Sequence, residues 1–463
     1  MSLIKCELVH YSLEDPPSYV AISYAWGDAD DKRRIQLEGA DIPVSANLHG
    51  ALFALRAKRE SVLVWVDALS IDQQNKDERT QQVQLMTYIY SRAVSVAIWL
   101  GPEADDSNTA MRTLSEVAAQ SQSSERISSL MSSKVGKAQF ASVVALFERD
   151  YWNRLWVVQE VFNANEINVY CGTMILPWTV FRAASNTFWR HKGHIDYFFP
   201  GGLAHSGQRA SPTQFTYSQV LVYHGPSSIP DVGSFNGLGE ESLLEVMRVC
   251  RRKLTADAKD KLYGILGLLD EEIRNEFPVD YGLSVKEVYV RVFDYLLCTT
   301  ERLDILCEAV HFPLHTGSNL PTWVPDWSYN PETTALGRSC NFLAAGSTKA
   351  EAKVLDDRRR LEMSAIYLDT ISGHGIAVGT LSEEMAKVKC GKKNSAERYL
   401  SINYPRSGRG RGERRATMCS PRWPAIVSRD FPSMMNFYGT LIQQSVSRPK
   451  IEDASFRNIL VRE

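Results

Sequence analysis

Short apolar runs alternate with segments of helical period through the first third of the chain. That alternation most constrains the fold. Tyr19 to Tyr24 (YVAISY) reads as a strand ending in the turn Trp26-Gly27-Asp28. Arg34 to Leu37 and Ile42 to Val44 flank Glu38-Gly39 and read as a hairpin, with Gly39 supplying the turn. Asn47 to Arg59 carries Leu48, Ala51, Leu52 and Leu55 at helical spacing. Val62 to Val66 (VLVWV) is nearly continuous in apolar residues, as suits a strand buried on both faces. Asn75-Lys76-Asp77-Glu78 opens a helix with Val83, Met86, Ile89, Tyr90 and Ala93 on one side. Ser95 to Leu100 (SVAIWL) is a further strand, stopped by Gly101-Pro102. The spacing predicts a helix and then a mobile loop over Asp105 to Gly136. It predicts one helix over Tyr151 to Phe162, with Trp152, Leu155, Trp156 and Gln159 in a stripe, and a strand over Ile167 to Cys171. Strands joined through helices imply an α/β fold with a mostly parallel sheet.

Beyond this the periodicity fades. Phe181 to Glu240 reads as an irregular linker or insertion. Helical patterns return at Leu243 to Lys253 and at Ser284 to Leu297, the second opened by a Ser284/Glu287 capping box. Pro321 to Ser328 reads as an extended aromatic-proline segment, and Leu361 to Ile371 as a candidate strand. The expected organisation is an α/β domain over 1–180, an irregular stretch over 181–240, a helical region over 241–330 and a weakly patterned region over 331–463.

With 463 residues, two or three domains are expected at about 150 residues each. A formal net charge of −2 gives no whole-chain field toward nucleic acid or anionic lipid. The arginines of Tyr404 to Arg415 lack interleaved aromatics, so that stretch reads as a solvated, mobile loop rather than an RNA contact. No apolar run is long enough to span a bilayer, and no secretory signal is evident at the start. Eight cysteines form no CxxC pair, which fits a reducing compartment, so a cytoplasmic location is expected. His191 and His194 lack neighbouring ligands, so no metal is expected. Nucleotide-binding P-loops, GxSxG elbows and strand-following GxGxxG turns are missing from the sequence.

Four segments in series resemble the fungal heterokaryon incompatibility (HET) domain: YVAISYAWGD, LVWVDALSIDQQNKDERTQQVQLMTYIYSRA, VAIWLG and YWNRLWVVQEV. The stretch IQLEGADIPVSANLHGAL matches too. Downstream, DAKDKLYGILGLLDEE, FPVDYGLSVKEVY and LPTWVPDWS resemble the tract that follows the domain in multi-domain members. One departure is Ser70-Ile71-Asp72-Gln73, where the family usually has Cys-Ile-Asn-Gln. Another is the chain's close soon after Phe456, which leads to the expectation of a truncated or divergent copy.

HET domains are in turn similar to TIR domains. The resemblance implies a TIR-like fold and a role in fungal non-self recognition and programmed cell death, a form of innate immunity. It sets Trp156 and Glu160 where enzymatic TIR domains carry the glutamate that cleaves NAD. Read from its own residues, Glu160 is an acid among Val157, Val158, Val161 and Phe162. Such an acid faces water at a helix edge, is held in a cleft for chemistry, or pairs with a basic residue such as Arg79 or Arg154 to orient its helix.

Ser23, Tyr24, Trp26, Gly27 and Asp28 follow a strand's C-terminal end, where α/β sheets bind ligands. Trp26 stacks on a base or nicotinamide ring, or caps the core. Asp67 caps the next turn or contacts a ribose, Asp72 and Gln73 sit in the following loop, and Arg79 meets a phosphate or a surface acid. Two functions stand. One is a cell-death effector cleaving NAD or a related nucleotide, with no cofactor required. The other is a non-enzymatic module acting by self-association or by docking an allelic or receptor partner.

Overall fold

A computed structural model describes residues 3–28, 30–56, 61–200, 215–231, 234–235, 238–309, 319–330, 348–355, 360–364 and 455–462. The strands are β1 (Lys5–Ser12), β2 (Val20–Tyr24), β3 (Lys32–Leu37), β4 (Ala40–Ser45), β5 (Val62–Trp65), β6 (Ser95–Trp99), β7 (Ile167–Cys171), β8 (Met174–Pro177), β9 (Ala352–Val354), β10 (Leu361–Met363) and β11 (Ser455–Arg462). The first seven helices are α1 (Ala46–Leu55), α2 (Asp67–Ser70), α3 (Lys76–Arg92), α4 (Ser107–Ala119), α5 (Ser124–Ser132), α6 (Lys134–Phe147) and α7 (Val157–Phe162). The others are α8 (Trp178–Arg190), α9 (Lys192–Phe198), α10 (Tyr217–Tyr223), α11 (Ser242–Cys250), α12 (Asp260–Tyr263), α13 (Glu271–Glu276) and α14 (Val285–Thr300).

Among the described residues nine strands form one sheet in the order β4-β3-β1-β11-β5-β2-β6-β7-β8. The four strands expected to share a sheet do so: β5, β2, β6 and β7 are consecutive and parallel. The expected hairpin is β3–β4, and Gly39 takes φ +79° at its turn. The sheet is mixed, because β4 and β8 at its edges and β11 in its interior run antiparallel to their neighbours.

Side chains alternate between two cores, as the two-residue strand period requires. Ala21, Trp65, Val96 and Ile98 face one core, with Ile89 of α3, Leu114 of α4 and Phe140 of α6. Ile22, Val64 and Ile459 face the other, with Leu48 and Leu52 of α1. A third core is helical, built on Val246, Leu262, Phe293, Trp323 and Trp327, and it also takes Leu155 and Val158.

Local chemistry explains the helix starts. The Asn75 side chain accepts from the amides of Asp77 and Glu78 to open α3, and Ser284 with Glu287 forms the expected capping box on α14. Glu78 does not complete a box at Asn75. It accepts from the Asp72 amide and from Arg457 of β11 instead.

Several expectations need correction. Asp105 to Gly136 holds no mobile loop; α4 and α5 fill it, and Ile127 and Met131 bury the second of these against the first core. Phe181 to Glu240 is crossed by α8, α9 and α10, which anchor Phe181, Phe188, Val220 and Leu221 in the same core. Pro321 to Ser328 turns twice and buries Trp323, Val324 and Trp327. Of Leu361 to Ile371, the three residues of β10 are strand, and from residue 365 onward that segment lies outside the described residues. The basic stretch Tyr404 to Arg415 also lies outside them. No helix among the described residues is long and apolar enough to cross a membrane.

Candidate functional site

The parallel strands set the site. Ser23 stands near the C-terminal end of β2, and by alternation it faces the same side as Ala21, toward α7. Asp67 follows β5 after one residue, Val66, and begins α2. Both therefore sit where open α/β sheets bind ligands.

Glu160 reaches this place from α7. It is 4% exposed, and Ser23 Oγ donates to its Oε2 at 2.5 Å. Ser23 Oγ also shares a 2.8 Å hydrogen bond with Tyr151 Oη. With the serine proton on Glu160, the tyrosine donates. Burial pushes the Glu160 carboxyl up to about 7; Arg154 opposes this, Asp67 adds to it, and the Ser23 hydrogen bond opposes it. At neutral pH both protonation states are populated. Asp67 is raised as well, chiefly by burial, against the pull of Arg154, Trp26 and the Ala68 amide.

Trp26 is 45% exposed. Its indole Nε1 donates to Asp67 Oδ2 at 3.0 Å, while Asp67 Oδ1 accepts from the Ala68 amide at 2.8 Å. Gly27 follows with φ +76°, a conformation that L side chains avoid, and Asn47 Cβ lies 3.3 Å from where a Cβ would stand. This turn carries the strand end outward and leaves the indole at the surface. The Arg154 guanidinium lies 5.9 Å from the Trp26 ring centroid and donates to the Tyr24 carbonyl.

The structure thus brings together Ser23, Trp26, Asp67 and Glu160, adjoining Gly27. Tyr24 contributes its backbone: its ring belongs to the α1-side core, on the sheet face opposite Ser23, because adjacent strand residues point to opposite faces. Asp28 is exposed and accepts from the Asp30 amide. Asp72 is exposed and accepts from the Gln74 amide, a turn role. Gln73 donates to the Asp67 carbonyl at 3.1 Å. Arg79 leaves the strand ends altogether; its guanidinium stacks 3.9 Å from the Tyr281 ring centroid in the helical region. The sequence reading missed Tyr151 and treated Arg154 only as an ion-pair partner. The single long helix drawn over both concealed their roles.

That segment is in fact broken. Asp150–Asn153 is a 3-10 turn, Arg154 bridges Leu254 in parallel β fashion, and α7 begins at Val157. The Leu155 amide donates to the Leu254 carbonyl at 2.9 Å, and the Leu254 amide to the Asn153 carbonyl at 2.6 Å. Lys253 Nζ donates to the Trp152 carbonyl and, at 2.7 Å, to Ser228 Oγ. His191 and His194 lie 5.5 Å apart by ring centroid, and His194 Nδ1 meets Ser128 Oγ at 2.9 Å. Among the described residues no group of three His, Cys, Asp or Glu is gathered as metal ligands would be.

The family model described as heterokaryon incompatibility protein (HET) matches residues 19–160. The chain carries a HET domain. Its matched span begins at Tyr19 and closes on Glu160, so it contains every side chain of the strand-end site. β1, β7, β8 and β11 lie outside it. The chain is also similar to "Heterokaryon incompatibility protein 6, OR allele" of Neurospora crassa, at 24% identity over 455 aligned positions. That alignment takes in 84% of this chain and 64% of the relative, so the chain spans less than two thirds of the relative's length. No solved structure matches the chain.

Proposed function

We propose that the chain acts in heterokaryon incompatibility as a cytoplasmic cell-death effector, and that its HET domain cleaves NAD in the manner of a TIR domain. The name of the Neurospora crassa relative supports the first part. One observation carries the second: a buried acid, Glu160, raised to about 7 and held by Ser23 at the strand ends beside the exposed Trp26. NAD is the substrate, and no further cofactor is required.

Cleavage breaks the bond between the ribose C1′ and the nicotinamide nitrogen. The electron pair goes to that nitrogen, so nicotinamide leaves neutral and needs no general acid. An ionised Glu160 stabilises the oxocarbenium-like transition state, water adds at C1′, and one proton is released. Activity therefore rises with pH through about 7, as Glu160 ionises.

A second reading has its own observation. Glu160 is so enclosed that a ribose touches it only after the neighbouring side chains move. In that reading Ser23, Tyr151 and Glu160 are a buried polar support, and killing comes from self-association or from docking a partner.

Incubating the purified chain with NAD and measuring free nicotinamide separates the two. The wild type is expected to release nicotinamide, and Glu160→Gln to lose about a hundred- to thousandfold in rate. A wild-type chain that kills cells but releases no nicotinamide moves the function to the second reading.

A further inference from the structure

Arginines in this fold are mostly spent on structure. Arg149 donates to the carbonyls of Leu100, Pro102 and Ala104 and to Cys171 Sγ. Arg251 is saturated by Glu308 and by the carbonyls of Asp326 and Tyr329. Arg154 differs. One proton of its Nη1 goes to the Tyr24 carbonyl. Among the described residues Nε and Nη2 have no hydrogen-bond partner, and no carboxylate forms an ion pair with the guanidinium. A guanidinium carries five N–H donors in a planar fork that matches a phosphate. This one is partly exposed and stands at the C-terminal ends of parallel strands.

Its neighbour is a ring plate. Trp26 is fixed at its edge by Asp67, so its orientation is set before any ligand arrives. Asp67 in turn has one oxygen on the indole and the other on the Ala68 amide. Neither oxygen accepts from Arg154 among the described residues, so the arginine's open prongs are available to an outside acceptor. The Arg154 guanidinium lies over one face of the Trp26 ring, 5.9 Å from its centroid, and the indole is 45% exposed, so the pair suits a ligand with a flat ring for the other face and an anionic group for the arginine.

We infer that Trp26 and Arg154 bind a nucleoside diphosphate, with its base laid on the Trp26 indole and a phosphate held by the free prongs of Arg154. This rests on the reading of the strand ends as a nucleotide site, and it gives Arg154 the phosphate contact that Arg79 is too far committed to Tyr281 to make. It does not depend on cleavage, because a nucleoside diphosphate has no nicotinamide to lose.

Calorimetric titration of the full chain with ADP, with adenosine as the phosphate-free control, tests the assignment. ADP is expected to bind at least tenfold more tightly than adenosine. Arg154→Gln is expected to bring ADP down to the affinity of adenosine and leave adenosine unchanged, while Trp26→Ala weakens both. Should Arg154→Gln fail to fold, Arg154→Lys carries the test, since it keeps the charge and loses the fork; an intermediate ADP affinity is expected. Equal affinities for ADP and adenosine, an arginine variant that binds ADP like wild type, or no ADP binding at millimolar concentration overturns the inference. ADP binding that depends on Arg154, in a chain that releases no nicotinamide from NAD, overturns the cleavage reading alone.

Discussion

Glu160 is pulled in two directions: burial favours its neutral form, and Arg154 and Ser23 favour its charge. Burial wins, and that has a thermodynamic consequence. Between the ordinary value of 4.5 and about 7 the folded chain holds a proton that the unfolded chain has released, so this residue's contribution to stability falls as pH rises. The loss is on the order of 3 kcal/mol by pH 8. Glu160→Gln has nothing to ionise there. Urea unfolding at pH 5 and pH 8 is expected to show the variant gaining about that much on wild type at the higher pH; parallel behaviour at both values refutes the account of the buried acid. Ser23, Trp26, Asp67 and Glu160 were legible in the sequence because strand-end position and an acid in an apolar helix are local signals. Asp72 and Arg79 were not. Arg79 is claimed by Tyr281, a residue so distant in sequence that no periodicity announces it.

Elements were legible where their causes are local and illegible where they are not. The strands β2, β5, β6 and β7 and the capped helices α3 and α14 follow from apolar runs and capping residues a few positions apart. The supposed helix over Tyr151 to Phe162 fails because Leu254 takes two of its backbone groups into a bridge. That break puts Trp156 at the start of α7, half-buried between the first core and the helical core, with its Nε1 donating to Asp260 at 3.2 Å. Trp156→Ala is expected to cost about 3 kcal/mol by losing packing on both sides. The check is chemical denaturation beside nicotinamide release. Lower stability with the remaining activity per folded molecule unchanged supports a structural role, and a stable but inactive variant moves Trp156 into the site.

At the scale of the molecule, β11 was the largest omission. It lies antiparallel between β1 and β5, with Ile459 and Val461 buried beside Val64. Its pairing partners stand at the other end of the chain, and the intervening sequence offers no local clue to the pairing. Asn458, at its centre, is fully buried, and neither atom of its side-chain amide meets a hydrogen-bond partner among the described residues. Removing an unsatisfied buried polar group recovers about 1–3 kcal/mol. Asn458→Leu is therefore expected to raise the unfolding midpoint, and a fall in a thermal melt counts against that arrangement. The position of β11 also governs time. A ribosome adding about 5–20 residues per second takes on the order of a minute to pass from Trp65, which closes β5, to Ser455, which opens β11. Through that interval β1 and β5 stand without the neighbour that joins them, each presenting a bare row of backbone donors and acceptors. A nascent chain in this condition is inviting to chaperones and to other nascent copies, and its sheet can close only after ribosomes have read past Ser455.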